Sequence, residues 1–184
     1  MELERKILRG AVIEGYTVLM RAEAELLLPQ EYAAICDFYS LLAEKCMAWA
    51  IEVYGEGRRA AFLELKDSME RARFKMAKYR FLMRYPWHGD EHTAIVCESF
   101  LDGETNEKRC SYRRISHVWN VREETLLPLS QIGELFSIKV DARRIGFRAD
   151  GAYPENGALV FYKNASQRND FMEKRWDFGK NGKI

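Results

Sequence analysis

Arg114-Ile-Ser-His-Val-Trp-Asn-Val-Arg-Glu-Glu-Thr-Leu-Leu-Pro-Leu-Ser-Gln-Ile132 is the stretch whose reading decides the fold. Ile115, Trp119 and Val121 fall on one face of a strand, with His117 alternating between them. A polar turn follows, and then a Leu-rich element expected to form one or two helical turns. Ser116 and His117 are neighbours on a strand and point to opposite faces, so they cannot pair as nucleophile and base. The stretch reads as core strand and apolar plug, with His117 a satisfied core histidine.

Upstream, Arg73 to Tyr85 sets Tyr79, Phe81, Met83 and Tyr85 against Lys78, Arg80 and Arg84, again at period two. Thr93 to Leu101 is a further strand, Asp102 to Glu107 a hairpin loop, and Lys108 to Arg122 the long return strand. Strands joined by short turns predict an antiparallel meander. Before them, Gly15 to Leu28 is a half-buried strand with Tyr16, Val18, Met20, Ala22, Ala24 and Leu26 on one face. Pro29 ends it. From about Glu31 to Tyr54, Ile35, Phe38, Tyr39, Leu42, Cys46, Trp49 and Val53 recur at helical spacing. Gly55 and Gly57 are read as its stop. Arg58 to Arg71 suggests a shorter second helix. Asp150 to Gly157 reads as a loop and Ala158 to Tyr162 as a short, strong strand. In the polar tail, Phe171, Trp176 and Phe178 suggest docking. The expectation is a single α+β domain over 1–184, an antiparallel β-sheet of five or six strands packed against one long amphipathic helix and a shorter one.

Composition narrows the function. The chain has 184 residues, 47% apolar and 31% charged, and 29 basic residues balance 28 acidic ones. A general nucleic-acid binder would show a basic excess, so nucleic acid is an unlikely partner. No window approaches the roughly 20 apolar residues of a membrane span, and no secretory signal is visible, so a cytoplasmic location without a membrane is expected. Cys36, Cys46, Cys97 and Cys110 lack paired metal spacing and are read as thiols. Cys97 and Cys110 flank the Asp102–Glu107 loop, where a two-residue turn would set them opposite each other. No phosphate loop, nucleophile elbow or cofactor motif appears, and no cofactor is expected.

The order of these elements resembles the RsiV-like domain of unknown function, found in the extracellular part of the RsiV anti-sigma factor and in uncharacterised proteins of Gram-positive bacteria. The resemblance is carried by Arg114-Ile-Ser-His-Val-Trp-Asn-Val121, Leu126-Leu-Pro-Leu-Ser-Gln-Ile132 and Gly157-Ala-Leu-Val-Phe-Tyr162, and covers roughly residues 15–162. The family's Gly-Gly-Ala-His segment before the third strand is absent, as are a membrane anchor and a sigma-binding segment. Its lysozyme-sensing role is therefore not expected here. The resemblance implies a fold and a binding rather than a catalytic role.

Two site readings follow. One helix cannot cover a wide sheet, so Tyr85, Trp87, Trp119 and Tyr162 are expected to mark an aromatic ligand- or protein-binding face. The alternative is a metal-binding protein or metal-assisted hydrolase. It would use His88, Asp90 and His92 of the turn His88-Gly-Asp-Glu-His92, with Cys97 or His117 as a further donor. The turn matches no recognised ligand spacing, and a solvated turn is the favoured reading. Arg143, Arg144, Arg148, Lys163 and Arg168 near Phe147, Tyr153, Phe161 and Tyr162 could form a basic patch, with a solvated strand face favoured. Partners are an unidentified protein or small ligand, with a homodimer through a sheet edge or exposed face as a further possibility.

Overall fold

The computed structural model describes residues 1–105, 107–138, 140–165 and 171–178; the side chains of 103–105, 107–111 and 142 also lie outside the description. The chain is mostly β. Leu3–Glu14 (β1) and Thr17–Pro29 (β2) form a hairpin, followed by a helical stretch. Three long strands come next: Ala77–His88 (β3), His92–Thr105 (β4) and Glu107–Asn120 (β5). With the short Thr125–Leu126 (β6) they make a six-stranded sheet in sequence order. Gly151–Glu155 (β7), Ala158–Lys163 (β8) and Met172–Asp177 (β9) form a second, three-stranded sheet.

This corrects the expectation of one antiparallel sheet packed on helices. There are two sheets, and β2 pairs with β3 in parallel, Met20 opposite Ala77 through Glu25 opposite Leu82. A parallel pair needs a crossover, and the helices supply it. They run through Ala33–Trp49 (α1), a π-helical turn Ala50–Gly55, Glu56–Glu64 (α2) and Ser68–Ala72 (α3).

The contacts divide the chain into two compact units. Unit 1 is Met1–Leu82 with Ser99–Ser111, and unit 2 is Met83–Glu98 with Tyr112–Ile184. In unit 1 the period-two reading of β2 holds from Met20 on: Met20, Ala22, Ala24 and Leu26 are buried while Arg21 and Glu23 are exposed, whereas Tyr16 lies in the turn and is fully exposed and Val18 is only half-buried. They pack with Ile35, Tyr39, Ala43 and Met47 of α1, in a core whose one buried charge among the described residues is Arg58. Gly55 does not stop the helix. It has right-handed helical backbone, and a Cβ there would lie 2.5 Å from Val12 Cγ2. Its missing side chain lets the helix approach β1, as does Gly10, whose Cβ would meet Ile51. The β1–β2 register slips between Val12 and Ile13 and leaves Leu19 without a partner. Arg58 Nε donates to the Leu19 carbonyl at 3.0 Å, which satisfies the bulge and accounts for a buried guanidinium.

Unit 2 is built on β7 and β8. Asn156 and Gly157 both have positive φ, 49° and 75°, between the paired Glu155 and Ala158. That is a two-residue turn of the type Asn-Gly favours. The stretch expected to be a loop is thus a hairpin. Leu129–Leu135 (α4) and the single turn Ala142–Ile145 (α5) close over an apolar cluster that includes Val96, Val118, Ile132, Ile145, Leu159 and Phe161.

Candidate functional site

The densest polar cluster among the described residues lies in unit 2, at positions to which the sequence reading gave other roles (Arg84, Tyr153) or none. Arg114 on β5 is its centre. One face of β5 carries Tyr112 and Arg114 two residues apart, β7 carries Tyr153 and Glu155, and β9 carries Glu173 and Arg175. Strand alternation sets each such pair on one face.

Arg114 keeps only 10% of its side chain exposed. Its Nη1 donates to Glu173 Oε2 at 2.6 Å and to Tyr153 Oη at 2.7 Å. Its Nε donates to Tyr112 Oη at 2.8 Å, and its Nη2 lies 3.2 Å from Glu98 Oε1. The guanidinium also lies over the Phe171 ring, 4.8 Å from its centre. Tyr112 Oη donates in turn to Glu98. A second guanidinium, Arg84 on β3, donates to Glu155, to Glu98 Oε2 at 3.3 Å and to Tyr153 Oη at 3.2 Å. Arg175 completes the set with Glu155 Oε2 at 2.8 Å. Three arginines thus meet three glutamates, with tyrosine hydroxyls bridging them.

The ionisation follows from this pairing. Burial works against the Arg114 charge, but its hydrogen bond to Glu173 together with Tyr153 and Tyr112 outweighs that and holds the pKa above its ordinary value. Burial likewise opposes the charge of Arg84, and Glu155 and Glu98 more than compensate. Burial alone would raise Glu98; the Tyr112 hydroxyl and the two guanidinium groups reverse that and hold it below the usual carboxylate range. Tyr112 is pushed up, by burial first and then by its hydrogen bond to Glu98. Arg84, Arg114, Glu98 and Tyr112 are each held in one protonation state near neutral pH. The arrangement suits a rigid frame better than proton transfer, which needs a group poised near the working pH.

The expected aromatic face is not assembled as one open surface. Trp119 and Tyr162 are buried, at 4% and 2% exposure. Tyr162 Oη accepts from the Ser116 amide at 2.8 Å. Trp87 is half-buried and meets Phe136 edge-on at 5.2 Å. Tyr85 is half-buried as well. Tyr153, Phe161 and Tyr162 are buried, so these three cannot stack bases; Arg168 lies outside the described residues.

The metal reading fares no better geometrically. His88 and Asp90 are exposed, His92 is half-buried and Cys97 is buried. Among the described residues no three His, Cys, Asp or Glu side chains converge on a cation position. The stretch is a tight turn, closed by the Gly89 amide donating to the His92 carbonyl at 2.8 Å. Its glycine leaves room for the Trp87 ring, which a Cβ would approach to 2.9 Å. The Cys110 side chain lies outside the described set, so its relation to Cys97 does too. Burial lowers His117 to about 4, so it is neutral at physiological pH.

No protein-family model matches the chain, and no curated protein matches it. Solved structures do. A DUF3298 family protein from Pseudomonas aeruginosa is similar with a TM-score of 0.55 at 12% identity, over 96% of this chain and 90% of that one. A member of the DUF3298 family from Bacteroides fragilis is similar with a TM-score of 0.54 at 7% identity, over the same shares. At such identities the likeness is one of fold.

Proposed function

We propose that this chain is a non-enzymatic binding or protein-interaction domain of the RsiV-like kind. The observation that carries the reading is the saturation of its richest polar cluster. Arg114, the most buried charge there, spends its donors on Glu173, Tyr153, Tyr112 and Glu98. A catalytic site keeps a donor, a base or a nucleophile aimed at a vacant position. The fold likeness to DUF3298 proteins agrees with a domain defined by its scaffold.

The test is a turnover screen on esters, phosphate esters, peptides and glycosides, with Glu98→Gln and His117→Gln as paired controls. The expected result is no turnover above buffer. Turnover that disappears in either variant would overturn the reading and make the chain an enzyme.

A further inference from the structure

We propose that the sheet face of unit 1 turned away from its helices is a docking surface for an anionic lipid bilayer. Alternation along β1 separates two faces. Lys6 reaches Ser40 of α1, and Gly10 and Val12 abut Ile51 and Gly55, so the even positions face the helices. Arg5, Ile7, Arg9, Ala11 and Ile13 therefore share the open side. The register carries that side inward, with Ala11 opposite Arg21, Arg9 opposite Glu23 and Ile7 opposite Glu25. It continues to β3, where Arg21 meets Lys78 and Glu23 meets Arg80.

Among the described residues of β1 to β3, five cations thus share this face with two carboxylates, and both carboxylates are already engaged. Glu25 pairs with Arg5 at 2.8 Å and Glu23 with Arg9 at 3.1 Å. Arg21, Lys78 and Arg80 are left without an ion-pair partner among the described residues, and all three are exposed. Arg21 and Lys78 sit directly opposite each other, an arrangement of like charges that destabilises a ladder. A negative surface placed against them removes that penalty. The helical stretch is mixed in charge, with Asp37, Glu44, Glu52 and Glu64 exposed beside Lys45, Lys66, Arg71 and Arg73, so the cationic excess belongs to the sheet face.

The uncharged residues choose among anions. Beside the cations, Ile7 and Ile13 are exposed, Ile13 to 50%, and Tyr16 at the hairpin tip is fully exposed. Aliphatic side chains do not stack on bases, so they contribute little to a nucleic-acid surface. At a bilayer they enter the headgroup boundary while the cations meet lipid phosphates and carboxylates. A surface contact of this kind needs no spanning helix, and none of the helices is long and apolar enough to cross a membrane.

This inference rests on the reading of the chain as a binding module, yet its test addresses the face directly and can fail while that reading stands. The full chain is sedimented with phosphatidylcholine vesicles, with or without phosphatidylserine. Binding should require phosphatidylserine and weaken at high salt. Combined Arg21→Gln, Lys78→Gln and Arg80→Gln should lower partitioning roughly a hundredfold, about fivefold per cation. Ile13→Ser with Tyr16→Ser should weaken it further. Lys45→Gln with Lys66→Gln, exposed cations of the helical stretch, should leave it unchanged. Equal binding to both vesicle types, indifference to the triple variant, or displacement from vesicles by an oligonucleotide or acidic peptide would overturn the proposal.

Discussion

Arg9 with Glu23 in unit 1 and Arg114 with Glu173 in unit 2 are the same chemical pair on neighbouring or facing strands, and they live in opposite surroundings. Arg9 keeps 73% of its side chain in solvent, and Arg114 keeps 10%. The first pair is screened by water and held by two mobile side chains. The second sits among Tyr112, Tyr153, Tyr162 and Phe171, where an unpaired charge would be costly. Unit 1 is thus held by apolar packing, with Arg58 its one buried charge among the described residues, whereas unit 2 carries a whole ion network into its interior and must satisfy all of it. Burial of the pair, and not its presence, decides what it contributes.

The sharpest way to break this comparison is to remove one arginine from each unit. Among the described residues, Arg114→Leu leaves Glu98 with only Arg84 and Tyr112, and Glu173 with only the distant Arg175 at 3.9 Å, and should cost about 3–5 kcal/mol in urea unfolding. Adding Glu173→Gln to that variant should recover part of the loss, because one stranded charge is removed; a strictly additive double mutant would show that the pair is not coupled.

The next effect is a pH dependence of unit 2. His117 has a folded pKa of about 4 against an ordinary 6.5. A lowered pKa means that the unfolded chain takes up the proton first. The stabilisation is fully present above pH 6.5 and is lost as pH falls from there through 4. Unfolding followed between pH 7 and pH 4 should lose on the order of 2 kcal/mol through this residue. His117→Gln should flatten that slope, and an unchanged slope would assign the acid sensitivity to the carboxylates instead. The smallest effect belongs to unit 1: Glu23→Gln should change stability by less than about 0.5 kcal/mol. A loss as large as that of Arg114→Leu would erase the distinction between the two units.

The same comparison explains what could be read in the chain. Alternation reports which residues share a face, and it located β2, the first half of β3 and β8 well. It does not report what lies over the face. Lys78, Arg80 and Arg84 form one row at period two and read alike as solvated. Lys78 and Arg80 are exposed, while Arg84 joins a half-buried ion network. The same holds for Trp119 and Tyr162, which alternation placed on a face without reporting its cover and which are buried. β1 was missed because Glu4, Arg5, Lys6 and Arg9 interrupt its apolar pattern. The β7–β8 hairpin was legible in Asn156-Gly157, but Pro154 beside that turn argued for a loop. Gly55 was read by its conformational habit as a stop, when its use is the absence of a side chain facing Val12. The parallel β2–β3 pair left no local trace, because a crossover is a relation between distant segments.

That crossover also orders events in time. The β1–β2 hairpin closes over the short turn at Gly15 and Tyr16, and such hairpins form in roughly 1–10 μs. The opposite edge of β2 can receive β3 only after the chain from Ala33 to Ala72 has been gathered, and loop closure of that kind slows folding. Until then, an edge rich in Ala and Leu stands uncovered, which is the circumstance in which strands find the wrong partner. The cations and glutamates that interrupt β1 and β2 are the kind of residues that blunt strand edges against pairing with further copies.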